Sequence, residues 1–270
     1  MKNIGKISII LGVLCIISFS LAGALFFSNP ENYQLEDNSN YISINDFERA
    51  DYIGVKEVEV NFVSEDTTIE VVPGEDFIFN FTGVFPKSKY DEPPKLEVVD
   101  LGNKIIVKII RKKQNIIFGT IYEDYNLYIG IPEKYESNLG VNGISGDIKI
   151  TNLNLNELYA ESVSGEISLK NVICKDVGLH SVSGEVYSLD SEGISSVKTT
   201  SGDVDFDNYN VKGDLNIETV SGDVELDIRD DSSIDVYFDS ISGDFKESSK
   251  TRGGEYKIKV KTTSGDLSVY

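Results

Sequence analysis

Apolar and polar positions divide the chain into three regimes. From Ile7 to Phe27 no residue is charged, and Lys2 and Lys6 precede the run. About 20 apolar residues match the hydrocarbon thickness that a helix must cross. Glu31, Glu36 and Asp37 follow the run, which agrees with an N-terminus inside and the remainder outside. The pattern predicts one N-terminal transmembrane helix within residues 1–28. A signal peptide cut after Ala22-Gly23-Ala24 is the competing reading, and both send the rest of the chain across the membrane. Residues 29–50 read as a polar linker, with a short turn of helix over 42–50.

Residues 51–134 follow a strand pattern. Val55, Val58, Val60 and Phe62 suggest one strand, and Ile69 to Val72 runs into the turn signal Pro73-Gly74. Phe77 to Phe85 is aromatic and β-branched, Lys104 to Ile110 alternates, and Tyr125 to Ile131 ends at Pro132. Short strands with polar turns predict a small β-sheet or sandwich region here.

From residue 135 to 270 the chain repeats. The motif occurs at Ser145-Gly146-Asp147, Ser164-Gly165-Glu166, Ser183-Gly184-Glu185, Ser201-Gly202-Asp203, Ser221-Gly222-Asp223, Ser242-Gly243-Asp244 and Ser264-Gly265-Asp266. Successive serines are 19, 19, 18, 20, 21 and 22 residues apart. A period near 20 is the signature of a solenoid. Four residues before each serine stand Val141, Ala160, Leu179, Val197, Ile217, Phe238 and Val260; three after it stand Ile148, Ile167, Val186, Val204, Val224, Phe245 and Leu267. The position two before the serine is always small, from Gly143 to Thr262. Side chains alternate along a strand, so positions −6, −4 and −2 share an inward face, and +3 and +5 begin a second strand. The −6 row is apolar in six of seven, with Ser195 the exception; Ser188 and Glu247 break the +5 row, which predicts less regular third and sixth coils. Ser-Gly is expected to make the corner through backbone angles that glycine tolerates. The expected fold is all-β: a parallel β-solenoid of about seven coils behind the small sheet region. Stacked coils share one core that no single coil could bury. Because the last motif runs to Tyr270, the final coil is expected to leave an open edge, with edge-to-edge self-association as a consequence.

Composition narrows the function. The chain carries 25 Lys plus Arg against 45 Asp plus Glu, a net charge of −20. That excess argues against a nucleic-acid partner, which needs a basic footprint. Cys15 lies in the apolar run and Cys174 far downstream, so no disulfide framework is available. Cys174 reads as a packed thiol, and His180, the only histidine, as a coil-edge residue with no second histidine for a metal site. Arg111-Lys112-Lys113 reads as a solvated turn. Asn80-Phe81-Thr82 is a glycosylation sequon inside a strand pattern. The +2 carboxylates, Asp147 through Asp266, should stack along one edge. They then splay into water, accept turn amides, or bind cations such as Ca²⁺, which wants six to eight oxygens. No catalytic, cofactor-binding or metal residue stands out.

The strand Leu127-Tyr128-Ile129-Gly130-Ile131-Pro132, the repeat Thr219-Val220-Ser221-Gly222-Asp223-Val224-Glu225-Leu226 and the closing Thr262-Thr263-Ser264-Gly265-Asp266-Leu267-Ser268-Val269 resemble the putative adhesin domain family of bacterial and archaeal envelope proteins. The resemblance covers residues 55 to 270. It implies a β-solenoid at the cell envelope and brings no catalytic residues. The expected function is a non-catalytic, membrane-anchored cell-surface protein, an adhesin or envelope scaffold, with a surface protein or glycan as partner. The alternatives are an envelope sensory or regulatory protein that binds a membrane partner, and a calcium-dependent carbohydrate binder.

Overall fold

The computed structural model describes residues 40–90, 92–112, 122–229, 233–247 and 253–270. The expected anchor over 1–28 and the linker over 29–39 lie outside the described residues. Among the described residues no helix is long and apolar enough to cross a membrane.

Residues 40–270 form one compact unit of strands. Strand β1 spans Tyr41–Asp51, where a linker with a turn of helix was expected. It pairs antiparallel with β4, whose alternating aromatics supply the partner. The next strands are β2 (Glu57–Asn61), β3 (Asp66–Val72), β4 (Asp76–Pro86), β5 (Lys95–Asp100), β6 (Lys104–Ile110) and β7 (Asp124–Pro132). The repeats supply β8 (Asn138–Asn142), β9 (Ile148–Thr151), β10 (Asn154–Ser162), β11 (Ile167–Lys170), β12 (Ile173–Ser181), β13 (Val186–Leu189) and β14 (Glu192–Lys198). They continue through β15 (Val204–Tyr209), β16 (Leu215–Glu218), β17 (Val224–Ile228), β18 (Ile234–Ser240), β19 (Phe245–Glu247), β20 (Tyr256–Thr262) and β21 (Leu267–Val269).

Each repeat gives one strand to each of two sheets. One sheet runs β1-β4-β7-β3-β9-β11-β13-β15-β17-β21-β19, and the other β18-β20-β16-β14-β12-β10-β8-β2-β6-β5. We call them the acidic sheet and the mixed sheet, after their outer faces. The parallel solenoid expected for the repeats is present. The separate sheet expected over 51–134 is not: β2 and β3 form a rung directly below β8 and β9, and β6 and β7 form the rung below that. With the seven motif rungs, nine rungs stack among the described residues. The reason is apolar alternation: Val58 and Val60, then Ile69, continue the inward rows of the repeats. Their corner, Val63-Ser64-Glu65-Asp66, is the repeat corner with Glu65 in place of glycine. Beyond this end β4 and β5 pair antiparallel with the rung below. Phe77, Phe79, Phe81 and Phe85 on β4 are all buried and close the core at this end.

At the other end the last two rungs exchange places. β20 and β21 lie between β16/β17 and β18/β19, so the sequence-final rung is internal and residues 234–247 form the end of the stack. The open edge expected at Tyr270 therefore belongs to β18 and β19. The exchange separates like charges. In chain order, Asp235 and Asp239 of β18 would stand beside Asp214 and Glu218. In the structure Lys261 stands between Glu218 and Asp239, and Lys257 beside Asp235. The carboxylate of Asp214 accepts the Lys257 amide at 2.9 Å. Opposite charges across a ladder contribute roughly 0.2–1 kcal/mol each, and like charges destabilise.

Two breaks in the inward rows resolve locally. At Ser195 the ladder shifts by one residue, so that Ile194 pairs with Val177 and takes the buried place. Gly193 permits this: its φ is +90°, and a Cβ there would stand 1.9 Å from the Cys174 carbonyl oxygen. Ser188 keeps its place between Leu169 and Phe206, buried, with no hydrogen-bond partner for its hydroxyl.

Candidate functional surfaces

The Ser-Gly-Asp corner is a set of four interlocking contacts. The motif serine hydroxyl donates to a carbonyl of the neighbouring rung, as from Ser164 to Ile144 at 3.2 Å and from Ser183 to Val163 at 3.1 Å. The small residue two positions earlier is buried, except for the half-buried Ser240 of the end rung. Its hydroxyl accepts the motif glycine's amide: Ser162 from Gly165, Ser181 from Gly184, Thr219 from Gly222 and Thr262 from Gly265, at 2.9 to 3.0 Å. The first motif has Gly143 there, because the ring of Phe62 fills the space; a Cβ on Gly143 would lie 2.4 Å from that ring. The motif glycine serves proximity. None of the seven has a left-handed φ, contrary to the backbone-angle reading. A Cβ on Gly165 or Gly184 would stand 2.0 Å from the carbonyl oxygen of the preceding motif glycine.

The carboxylate ladder takes the second of its three expected courses. Asp66 accepts the Asp147 amide at 3.1 Å, and Asp147 accepts that of Glu166 at 2.9 Å. Asp203 accepts Asp223, Asp223 accepts Asp266, and Asp266 accepts Asp244, each at 2.8 Å. Each charge-assisted bond ties one rung to the next. Glu166 and Glu185, one methylene longer, accept no such bond among the described residues.

The left-handed conformation appears at the opposite corner. Asn152, Asn171, Asp190 and Asn208 have φ of 53–57°, a conformation that asparagine and aspartate tolerate better than other side-chain-bearing residues. Their side chains stack: Asn171 donates to Asn152 at 2.9 Å, Asn208 donates to Asp190, and Arg229 lies 3.6 Å from Asp190. The sequence signal was an Asn or Asp seven residues after four successive motif serines, which the sequence reading passed over.

Across β15 and β17 the outer face of the acidic sheet crowds like charges. Asp205 stands directly beside Glu225. Burial first, then Glu166, Asp205 and Asp203, pushes the Glu185 carboxyl above its usual range. Burial, then Glu225 and Asp207, does the same to Asp205. Among the described residues no group of three or more His, Cys, Asp and Glu side chains is placed to hold a metal ion. The mixed sheet alternates instead: Glu161, His180, Lys198, Glu218, Lys261 and Asp239 run in one row across it.

His180 lies on that outer face with Nδ1 3.8 Å from Glu161, as a coil-edge residue. Cys174 is a buried free thiol, pushed up to about 12 chiefly by burial. Arg111 is not in a solvated turn. It pairs with Glu65, which is fully buried, and its guanidinium covers the Tyr125 ring at 5.1 Å. Glu65 also accepts the amides of Val63 and Ser64, both at 2.9 Å. At the open end, Val236 and Phe238 are only half-buried and Phe245 is exposed, although these rows are buried in every other motif rung except at the Ser195 shift.

A two-sheet parallel solenoid with hydrogen-bonded corner ladders defines the class of protein. The chain belongs to the Toastrack DUF4097 family, whose model matches residues 55–195 and 188–270. No curated protein matches it. Solved structures similar to the chain include a putative lipid binding protein from Parabacteroides distasonis, at 15% identity and TM-score 0.48, covering 86% of this chain and 98% of that one. A putative adhesin from Bacteroides fragilis is 13% identical, with TM-score 0.41, over 86% of this chain and 98% of that one. A putative cell adhesion protein from Clostridium sporogenes is 12% identical, with TM-score 0.35, over 84% and 99%.

Proposed function

We propose that the chain is a non-catalytic, membrane-anchored solenoid of the cell surface that serves as an adhesion or envelope-scaffold module. One observation carries this reading: the serine and aspartate side chains that recur at the corners are spent on neighbouring rungs. The serine and aspartate ladders hold the stack together, and the small hydroxyls brace each corner from within its own rung. A stack fastened along both corners offers two broad, rigid faces, which suits display and contact more than turnover. The apolar run Ile7–Phe27 supplies the tether in this reading.

Protease shaving of intact cells tests it. Residues 40–270 are expected to be degraded while a cytoplasmic marker survives; repeats that stay protected until lysis contradict surface display. The alternative of a sensory or regulatory envelope protein draws on the open end at residues 234–247. Recovery of one stoichiometric membrane partner after cross-linking favours it over adhesion.

A further inference from the structure

The open rung has an incomplete neighbourhood, and its chemistry specifies what would complete it. On one side β18 pairs in register with β20, whose sequence Tyr256-Lys257-Ile258-Lys259-Val260-Lys261-Thr262 alternates basic and apolar residues. Ile258 and Val260 of β20 are buried and its lysines lie on the outer face, Lys257 beside Asp235, Lys259 between Asn216 and Tyr237, and Lys261 between Glu218 and Asp239. No described strand pairs with the other edge of β18. There the outer face shows Asp235, Tyr237 and Asp239, and the inner face shows Val236 and Phe238, with Phe245 of β19 5.7 Å from Phe238 between ring centroids. Tyr237 is 52% exposed and Ile241, at the adjoining corner, 84%. The Asp235 carboxylate already accepts the amides of Gly253 and Gly254 at 2.9 and 3.3 Å, so Asp239 is the carboxylate left to select a partner.

We propose that the free edge of β18 is a docking site for an extended segment of a partner protein in which lysine or arginine alternates with apolar residues. Such a segment adds a strand to the mixed sheet, places cations beside Asp239, and covers Val236, Phe238 and Phe245. Strand addition draws its affinity from backbone hydrogen bonds and its specificity from alternate side chains. Charge complementarity selects this occupant over a second copy. Two β18 edges meeting antiparallel about Tyr237 would set Asp235 of each against Asp239 of the other, and each chain carries a net charge of −20. The inference holds wherever the protein is displayed, so it stands or falls separately from the shaving assay.

The probe is a labelled synthetic peptide with the sequence of residues 256–262, titrated into the purified full chain in detergent micelles and followed by fluorescence anisotropy and amide hydrogen exchange. Saturable binding is expected, with new protection at 234–240 and undiminished protection at 256–262. D239K is expected to weaken binding about tenfold, because like charges in juxtaposition cost more than 1 kcal/mol. A peptide with its lysines replaced by glutamate is expected to show no binding to the unaltered chain, which keeps the test valid should D239K misfold. Absence of binding overturns the proposal, as does equal binding of the glutamate peptide. Loss of protection at 256–262, which would mark displacement of the native strand, overturns it too. Concentration-dependent protection of 234–240 without peptide would assign the edge to a second copy and overturn it as well.

Discussion

The backbone amide of Asp266 donates to the carboxylate of Asp223 at 2.8 Å across 43 residues of sequence. The residue that would take that place in simple chain order, Asp244, instead donates to Asp266. One pair of bonds thus records that the last two rungs have changed places. The same pair shows that the aspartate ladder runs through the exchange without interruption.

If charge sets the exchanged order, reversing it at one position should be costly. Lys261 stands between Glu218 and Asp239, whereas Lys259 stands between Asn216 and Tyr237. K261E is expected to lower stability by about 1–2 kcal/mol and K259E by well under half of that, from the size of cross-strand charge pairs. Urea denaturation measures both. Equal losses would remove charge as the cause.

The corner glycines are expected to be the least replaceable residues of the repeat. A Cβ on Gly184 meets the Gly165 carbonyl at 2.0 Å, backbone against backbone, so two rungs must part. G184A is expected to cost about 3 kcal/mol or more. Gly213, whose Cβ would meet nothing within 4 Å, serves as the control, and G213A should shift stability by under about 0.5 kcal/mol.

Ser188 offers the opposite case. Its hydroxyl is buried between Leu169 and Phe206 without a partner. Removing an unsatisfied buried hydroxyl relieves a desolvation cost, so S188A is expected to raise stability by about 1 kcal/mol. A loss of stability on thermal or urea unfolding would mean that the hydroxyl is bonded in solution.

The acidic face sets an unusual pH dependence. Glu185 and Asp205 titrate above their ordinary values in the folded chain, chiefly through burial and then through neighbouring carboxylates. A carboxyl whose folded value is raised destabilises the fold while charged, and that burden lifts as pH falls through the raised value. Glu59 is shifted the other way by hydrogen bonds from Lys104 first and Asn61 second, so its contribution is lost only at still lower pH. The melting temperature is therefore expected to rise as pH drops from neutral toward the carboxylate range and to fall beyond it. E185Q should shrink the rise. A melting temperature that falls steadily from neutral pH contradicts this account.

Much of this architecture was legible because the repeat fixes which positions face inward. The rows around each motif serine identified the two strands, and the charge of Glu247 in an inward row marked the end rung, where no described strand covers it. Its meaning was missed because chain order was taken for spatial order, while the lysines that decide the order lie on an outer face. The rung of β2 and β3 was hidden by Glu65, which replaces the glycine and pairs with Arg111. The 81 residues from Ser64 to Ser145 broke the period as well. The role of glycine was misread because a spacing pattern carries no distance between rungs. The left-handed Asn and Asp residues at the far corner required no glycine and so left a weaker mark.

Calcium titration of the purified protein followed by thermal melting tests most directly that the acidic ladder is structural. Asp66, Asp147, Asp203, Asp223 and Asp266 each already accept an amide of the adjoining rung. The account predicts no rise in melting temperature beyond that given by sodium at matched ionic strength. A large, saturable rise would mean that an ion binds the folded state in preference to the unfolded one, and would contradict it.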